Sequence, residues 1–170
     1  MKRIRTQTRV GSIAILLLFH VSVARADGPG GSDGYHGPPV EVSFIKWITD
    51  WPNMAGVVSG DVGPGAFAGE IIDYQPTPTI TSIVADYHIN VGSPQGFTAR
   101  NYVTQDNVAG TAEIRGVVTE GSLKGGRVRG GYQVVYPCPV INAQEGAAQD
   151  PPGVAPCFMG HLVVKAGGND

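Results

Sequence analysis

From Val40 onward, short runs rich in Val, Ile, Thr, Tyr and Phe alternate with clusters of Gly, Pro, Asn and Asp. β-Branched and aromatic side chains fit a pleated, half-buried surface, and the glycine and proline clusters mark turns. This rhythm leaves little room for helices and yields eight candidate strands, roughly 41–51, 55–61, 66–74, 78–90, 97–106, 111–119, 127–137 and 158–166. Most of the separating segments are short, so consecutive strands are expected to pair as antiparallel hairpins. The exception is a long excursion over 138–157, rich in Pro, Ala, Gln and Gly and without a strand pattern.

Alternation is clearest in three runs. Thr81, Ile83, Ala85, Tyr87 and Ile89 share one face of their strand, with Ser82, Asp86, His88 and Asn90 on the other. Ala112, Ile114, Gly116 and Val118 oppose Glu113 and Arg115, and Val128, Tyr132, Val134 and Tyr136 oppose Arg127, Arg129 and Gln133. One apolar and one polar face per strand is the pattern of half-buried antiparallel sheet. The first run, VEVSFIKWITDW, also fits helical spacing through Phe44, Trp47, Ile48 and Trp51, but its β-branched content favours a strand. Read that way, Trp47 and Trp51 share a face.

Glycines fall inside several of these runs. A unit of strand, glycine turn and glycine-containing strand occurs at 57–74 and again at 117–136. Glycines within strands mark bulges or bends, where a sheet curls enough to close. Closure removes edge strands, so a small antiparallel eight-stranded β-barrel is expected, with a β-sandwich as the alternative.

The N-terminus reads as an export signal. Lys2, Arg3, Arg5 and Arg9 precede the apolar run Ile13–Phe19, and Ala24-Arg25-Ala26 supplies a small-x-small cleavage pattern. The apolar run is shorter than the 20 or so residues a bilayer span takes. A signal peptide over 1–26, cleaved near Ala26, therefore predicts a periplasmic or extracellular protein with no stable membrane span. Asp27 to Pro39 reads as a flexible Gly/Pro-rich leader, and 40–170 as one barrel domain.

Five of the twelve basic residues lie in that signal, which leaves seven against fourteen acids, a formal charge of −7. An acidic exported domain lacks the basic footprint that nucleic acids or anionic membranes require. Lys46 is the only basic residue of 27–99, whereas Arg100, Arg115, Lys124, Arg127 and Arg129 fall in the second half. The two cysteines, Cys138 and Cys157, are expected to form one structural disulfide in an oxidising compartment. Without Cys-x-x-Cys spacing a redox role has no support.

The glycine–aromatic signature Gly63-x-Gly65-x-Phe67-x-Gly69, opening a strand and followed by alternating strands, resembles the allene oxide cyclase and dirigent barrels. That resemblance covers residues 41–136 in strand rhythm. It implies an eight-stranded antiparallel barrel, often oligomeric, with a central cavity for a hydrophobic small molecule. It transfers no catalytic residue and does not extend to the 138–157 excursion.

Motifs for particular chemistries are sparse. Ser43-x-x-Lys46 matches the serine–lysine pair of penicillin-recognising enzymes but lacks every companion element. The glycines at 63–65 lead into a strand rather than the helix a dinucleotide site needs. His36, His88 and His161 are isolated, so no metal site and no cofactor are expected. The remaining candidates for a cavity are Glu70, His88, Arg100, Glu113 and Arg115, with Asp86, all on expected strands. If they point inward, they form a charged interior with perturbed acid–base groups. The reverse orientation costs no desolvation and is preferred, with Ile83, Tyr87, Ile114, Val118 and Tyr132 as the core. The functional expectation is an exported barrel that binds a small apolar ligand or a protein partner. The alternative is a cofactor-independent isomerase or cyclase acting in the cavity.

Overall fold

The computed structural model describes residues 34–139 and 155–167. The expected signal peptide, the first half of the leader and most of the 138–157 excursion lie outside the described residues. Eight strands follow in order: β1 (Val40–Ile48), β2 (Asn53–Gly60), β3 (Gly65–Pro76), β4 (Ile80–Ile89), β5 (Phe97–Asp106), β6 (Thr111–Gly121), β7 (Arg127–Val135) and β8 (Cys157–Lys165). Each pairs with the next in antiparallel register, and β8 returns to β1, so the sheet is a closed barrel rather than a sandwich. Closure gives every strand two neighbours and leaves no open edge. Among the described residues no helix is long and apolar enough to cross a membrane.

The inner face is the apolar one. Val42, Phe44, Val58, Phe67, Ala85, Tyr87, Ile89, Ile114, Val118, Val128, Tyr132, Leu162 and Val164 are all buried in one cluster, with Ile83 packed against it. Large inward side chains are accommodated by glycines opposite them. Gly56 pairs with Lys46 and Phe67, Gly69 with Met54 and Tyr87, and Gly160 with Phe44 and Tyr132. A Cβ on Gly160 would stand 2.1 Å from the Gly131 carbonyl oxygen and 2.8 Å from Phe44 Cζ. A barrel of eight strands has an interior just wide enough for side chains, so rings on one strand require bare backbone on the next.

Two register shifts bend the sheet, at Ile71/Asp73 against β4 and at Thr98/Ala99 against β6. The first inserts the exposed Ile72 and so turns both Ile71 and Tyr74 inward, the parity change a bulge produces. One end of the barrel is sealed by Val62, Phe97, Leu123 and their neighbours, and by Tyr35. Tyr35 belongs to the expected leader, yet its backbone accepts from Gly167 and donates to Lys124, so residues about it are tied to this end.

A second, smaller core lies outside the barrel. Trp47 faces outward from β1 and is buried beneath the Cys138–Cys157 disulfide, with Ile45, Ala55, Val135 and Ala155 around it. The disulfide is the one expected from composition. Trp51, by contrast, lies beyond the end of β1 and is 55% exposed. The expectation that the two tryptophans share a strand face is therefore corrected: β1 stops at Ile48, and Trp51 lies in the turn closed by the Asn53 N–H on the Asp50 carbonyl.

Candidate ligand cavity and its buried lysine

At the end opposite the sealed one, the barrel interior opens into a cavity of about 160 Å³. Its wall comes from Ile48, Met54, Ile71, Ile83, Ala85 and Phe158, and its polar atoms from Lys46, Tyr87, Tyr132, Gln105 and Thr81. Trp51 and Tyr74 meet edge to face at the rim, with ring centroids 5.1 Å apart, and both are substantially exposed. The cavity thus runs from an aromatic lip down to a buried amine.

Lys46 reaches this place because β1 alternates. Val42, Phe44, Lys46 and Ile48 point inward, and Ser43 points out. The Ser43-x-x-Lys46 pair is therefore divided between the two faces of the sheet and does no joint chemistry. Lys46 is only 3% exposed. Its Nζ donates a hydrogen bond to the Tyr87 hydroxyl. Five rings surround it: the Tyr87 centroid at 4.0 Å, Tyr132 at 5.0 Å, and Phe44, Phe67 and Phe158 at 5.7 Å. The ring faces favour the ammonium form, but burial opposes it more strongly and brings the Lys46 pKa down to about 7. Among the described residues no carboxylate lines the cavity beside Lys46, and burial is the cause that lowers its pKa.

The phenols beside it are held neutral. Burial, and then the neighbouring Tyr132, push the Tyr87 pKa well above its ordinary value. Burial also raises that of Tyr132, whose hydroxyl donates to Gln105 Oε1 at 2.8 Å. Thr81 is engaged with Asn107 at 3.0–3.1 Å. Near Lys46 the cavity therefore presents one amine, partly deprotonated at neutral pH, and one neutral hydroxyl in an aromatic surround.

The charged residues singled out from the sequence lie elsewhere. Glu70, Arg100, Glu113 and Arg115 are exposed, and none of them, nor His88, lines the cavity. Arg100 grips Asp86 through two hydrogen bonds at 2.6 and 2.7 Å, which with the cation's field lowers the Asp86 pKa. His88 is half-buried beside Thr98, at 3.2 Å from its hydroxyl. Glu113 and Arg115 border a shallow outer groove with Tyr102 and Thr104. The outward orientation preferred from the sequence avoids burying ionisable groups without enough partners. No cluster of metal-ligating side chains occurs among the described residues.

From the sequence, Lys46 stood out as the lone base of an acidic half and as the partner of Ser43 in a Ser-x-x-Lys pair, not as a cavity group. The overlooked signal is its position on the apolar face of VEVSFIKWI, in register with Phe44 and Ile48. Comparison with protein-family models, with curated proteins and with solved structures finds no match for this chain.

Proposed function

We propose that this protein is an exported binding barrel for a compact, largely apolar small molecule. The observation that carries this reading is the unfilled cavity, lined mainly by apolar and aromatic side chains and open at one end. An apolar cavity of about 150 Å³ is enough to hold benzene. A single ring of benzene's size therefore fits inside, and the exposed Trp51–Tyr74 lip leaves space for a substituent or tail to emerge. The disulfide and the signal-like N-terminal segment support export. The likeness in strand rhythm to allene oxide cyclase and dirigent barrels agrees with a ligand-holding interior. A cyclase acting through a carboxylate or histidine is disfavoured, because neither residue type lines the cavity.

Native mass spectrometry of protein purified from an oxidising compartment, without refolding, tests this directly. A retained small molecule is expected, and toluene added to the emptied protein should alter the fluorescence of the Trp51 lip. Absence of both a retained molecule and any toluene response would remove the binding reading.

A further inference from the structure

We propose that the cavity takes carbonyl compounds, and that Lys46 captures an aldehyde as an imine while Tyr87 handles the proton. This rests on the cavity being a binding site and goes further by naming the ligand's reactive group.

Three observations converge. Lys46 is the charge-bearing side chain that lines the cavity, and it is buried whereas Trp51 and Tyr74 of the same lining are exposed, so a ligand entering past those rings reaches it afterwards. The groups facing it from the packed strands are phenols and hydrocarbon: Tyr87 from β4, Tyr132 from β7, Phe44 along β1, Phe67 from β3 and Phe158 from β8. No carboxylate or histidine among the described residues faces it, so only the ring faces favour the charged, non-nucleophilic form, and burial outweighs them. Desolvation in addition leaves about half of it as free amine at pH 7, whereas a solvated lysine keeps less than about one part in 10³.

The surroundings also discriminate between ligand chemistries. A carboxylate brought here would be met by Lys46 as its ammonium ion, which restores the non-nucleophilic form and places a second charge in the barrel interior. Burying such an ion pair costs the desolvation of both charges. A carbonyl has one oxygen, within the capacity of the Tyr87 hydroxyl, and its condensation product is a neutral imine. Reaction therefore removes the buried charge instead of adding a second one.

The chemistry balances without a further reactant. The Nζ lone pair attacks the carbonyl carbon and forms the C–N bond, while the C=O π pair moves to oxygen. One Nζ proton passes to that oxygen, giving a carbinolamine. The C–O bond then breaks as Tyr87 protonates the departing hydroxyl. The nitrogen lone pair forms C=N, and the remaining nitrogen proton returns to the Tyr87 oxygen. One water is released, and Tyr87 is regenerated.

The test uses the full chain, benzaldehyde as probe and cyanoborohydride to fix any imine, with peptide mapping at pH 7. Modification confined to Lys46, at least tenfold above the exposed Lys124 and Lys165, is expected. It should fall to background in Lys46→Met, and Tyr87→Phe should slow it about tenfold or more, in the range of general acid–base assistance. Because the mapping is done on the unaltered protein, a misfolded variant does not decide the matter. Toluene, which has no carbonyl, is run in parallel. If toluene enters the cavity while Lys46 stays unmodified, the imine proposal falls and the binding barrel stands. If neither enters, both fall.

Discussion

A lysine inside a barrel of hydrocarbon has an energetic signature of its own. Burial brings the pKa of Lys46 to about 7, against 10.5 for the solvated side chain. Between those pH values the unfolded chain holds a proton that the folded chain lacks, so stability must rise with pH across that window. Below pH 7 both forms are charged, and the full cost of burying the ammonium is felt. From pH 6 to pH 9 the gain amounts to about 2–3 kcal/mol, at 1.36 kcal/mol for each pH unit of unequal protonation. Urea unfolding at the two pH values should reveal it, and Lys46→Met should abolish the rise. Above pH 10 the trend reverses, since Tyr87 and Tyr132, with raised pKa values, stay protonated in the fold while unfolded phenols ionise. The same residue that weakens the fold at acid pH is the one that gives the cavity a reactive group.

The strands show how that residue is accommodated. β1 carries two interiors at once: Phe44 and Lys46 face the barrel, and Trp47 faces the disulfide-capped cluster outside. β8 supplies Gly160 between Phe44 and Tyr132, where a methyl group would collide with backbone and ring. Gly160→Ala is therefore expected to destabilise by about 1–3 kcal/mol through overpacking, measured as a lower urea midpoint with unchanged slope. The connection from β7 to β8 is fastened by a disulfide between residues 19 apart. Reduction, or the double change Cys138→Ser with Cys157→Ser, should cost about 3 kcal/mol on the chain-entropy account. Trp47 packs against both cysteines and should report the change in its fluorescence, independently of the cavity.

At the scale of the whole molecule, one end of the barrel is filled and the other is not. Val62, Phe97, Leu123 and the apolar residues beside them plug the first, and small or distant side chains such as Ala85 leave the second hollow. A closed barrel fixes its interior volume through strand number and register, so the hollow persists whether or not it is occupied. Filling it should separate stability from binding. Ala85→Leu is expected to raise stability by about 1 kcal/mol, as cavity-filling changes commonly do, while removing the toluene response. A ligand present at a hundred times its dissociation constant should stabilise the unaltered protein by about 2.7 kcal/mol and do nothing for the filled variant.

The sequence by itself determined the all-β class, the eight strands to within a few residues, the inward set of Tyr87, Ile114, Val118 and Tyr132, and the pairing of its two cysteines. These follow from period-two alternation and turn residues, which act over a few positions. Strand glycines favoured a closed barrel, and the same alternation kept Glu70, Arg100, Glu113 and Arg115 on the outer face, whereas only the tertiary structure decided that Trp47 and Trp51 part company. It alone brought Lys46 together with Tyr87, forty-one positions away along the chain. Alternation marks Lys46 as belonging to the apolar face of its own strand. It carries no information about which rings from β3, β4, β7 and β8 converge there, because that depends on register around a closed circuit, and register is a property of all the strands together.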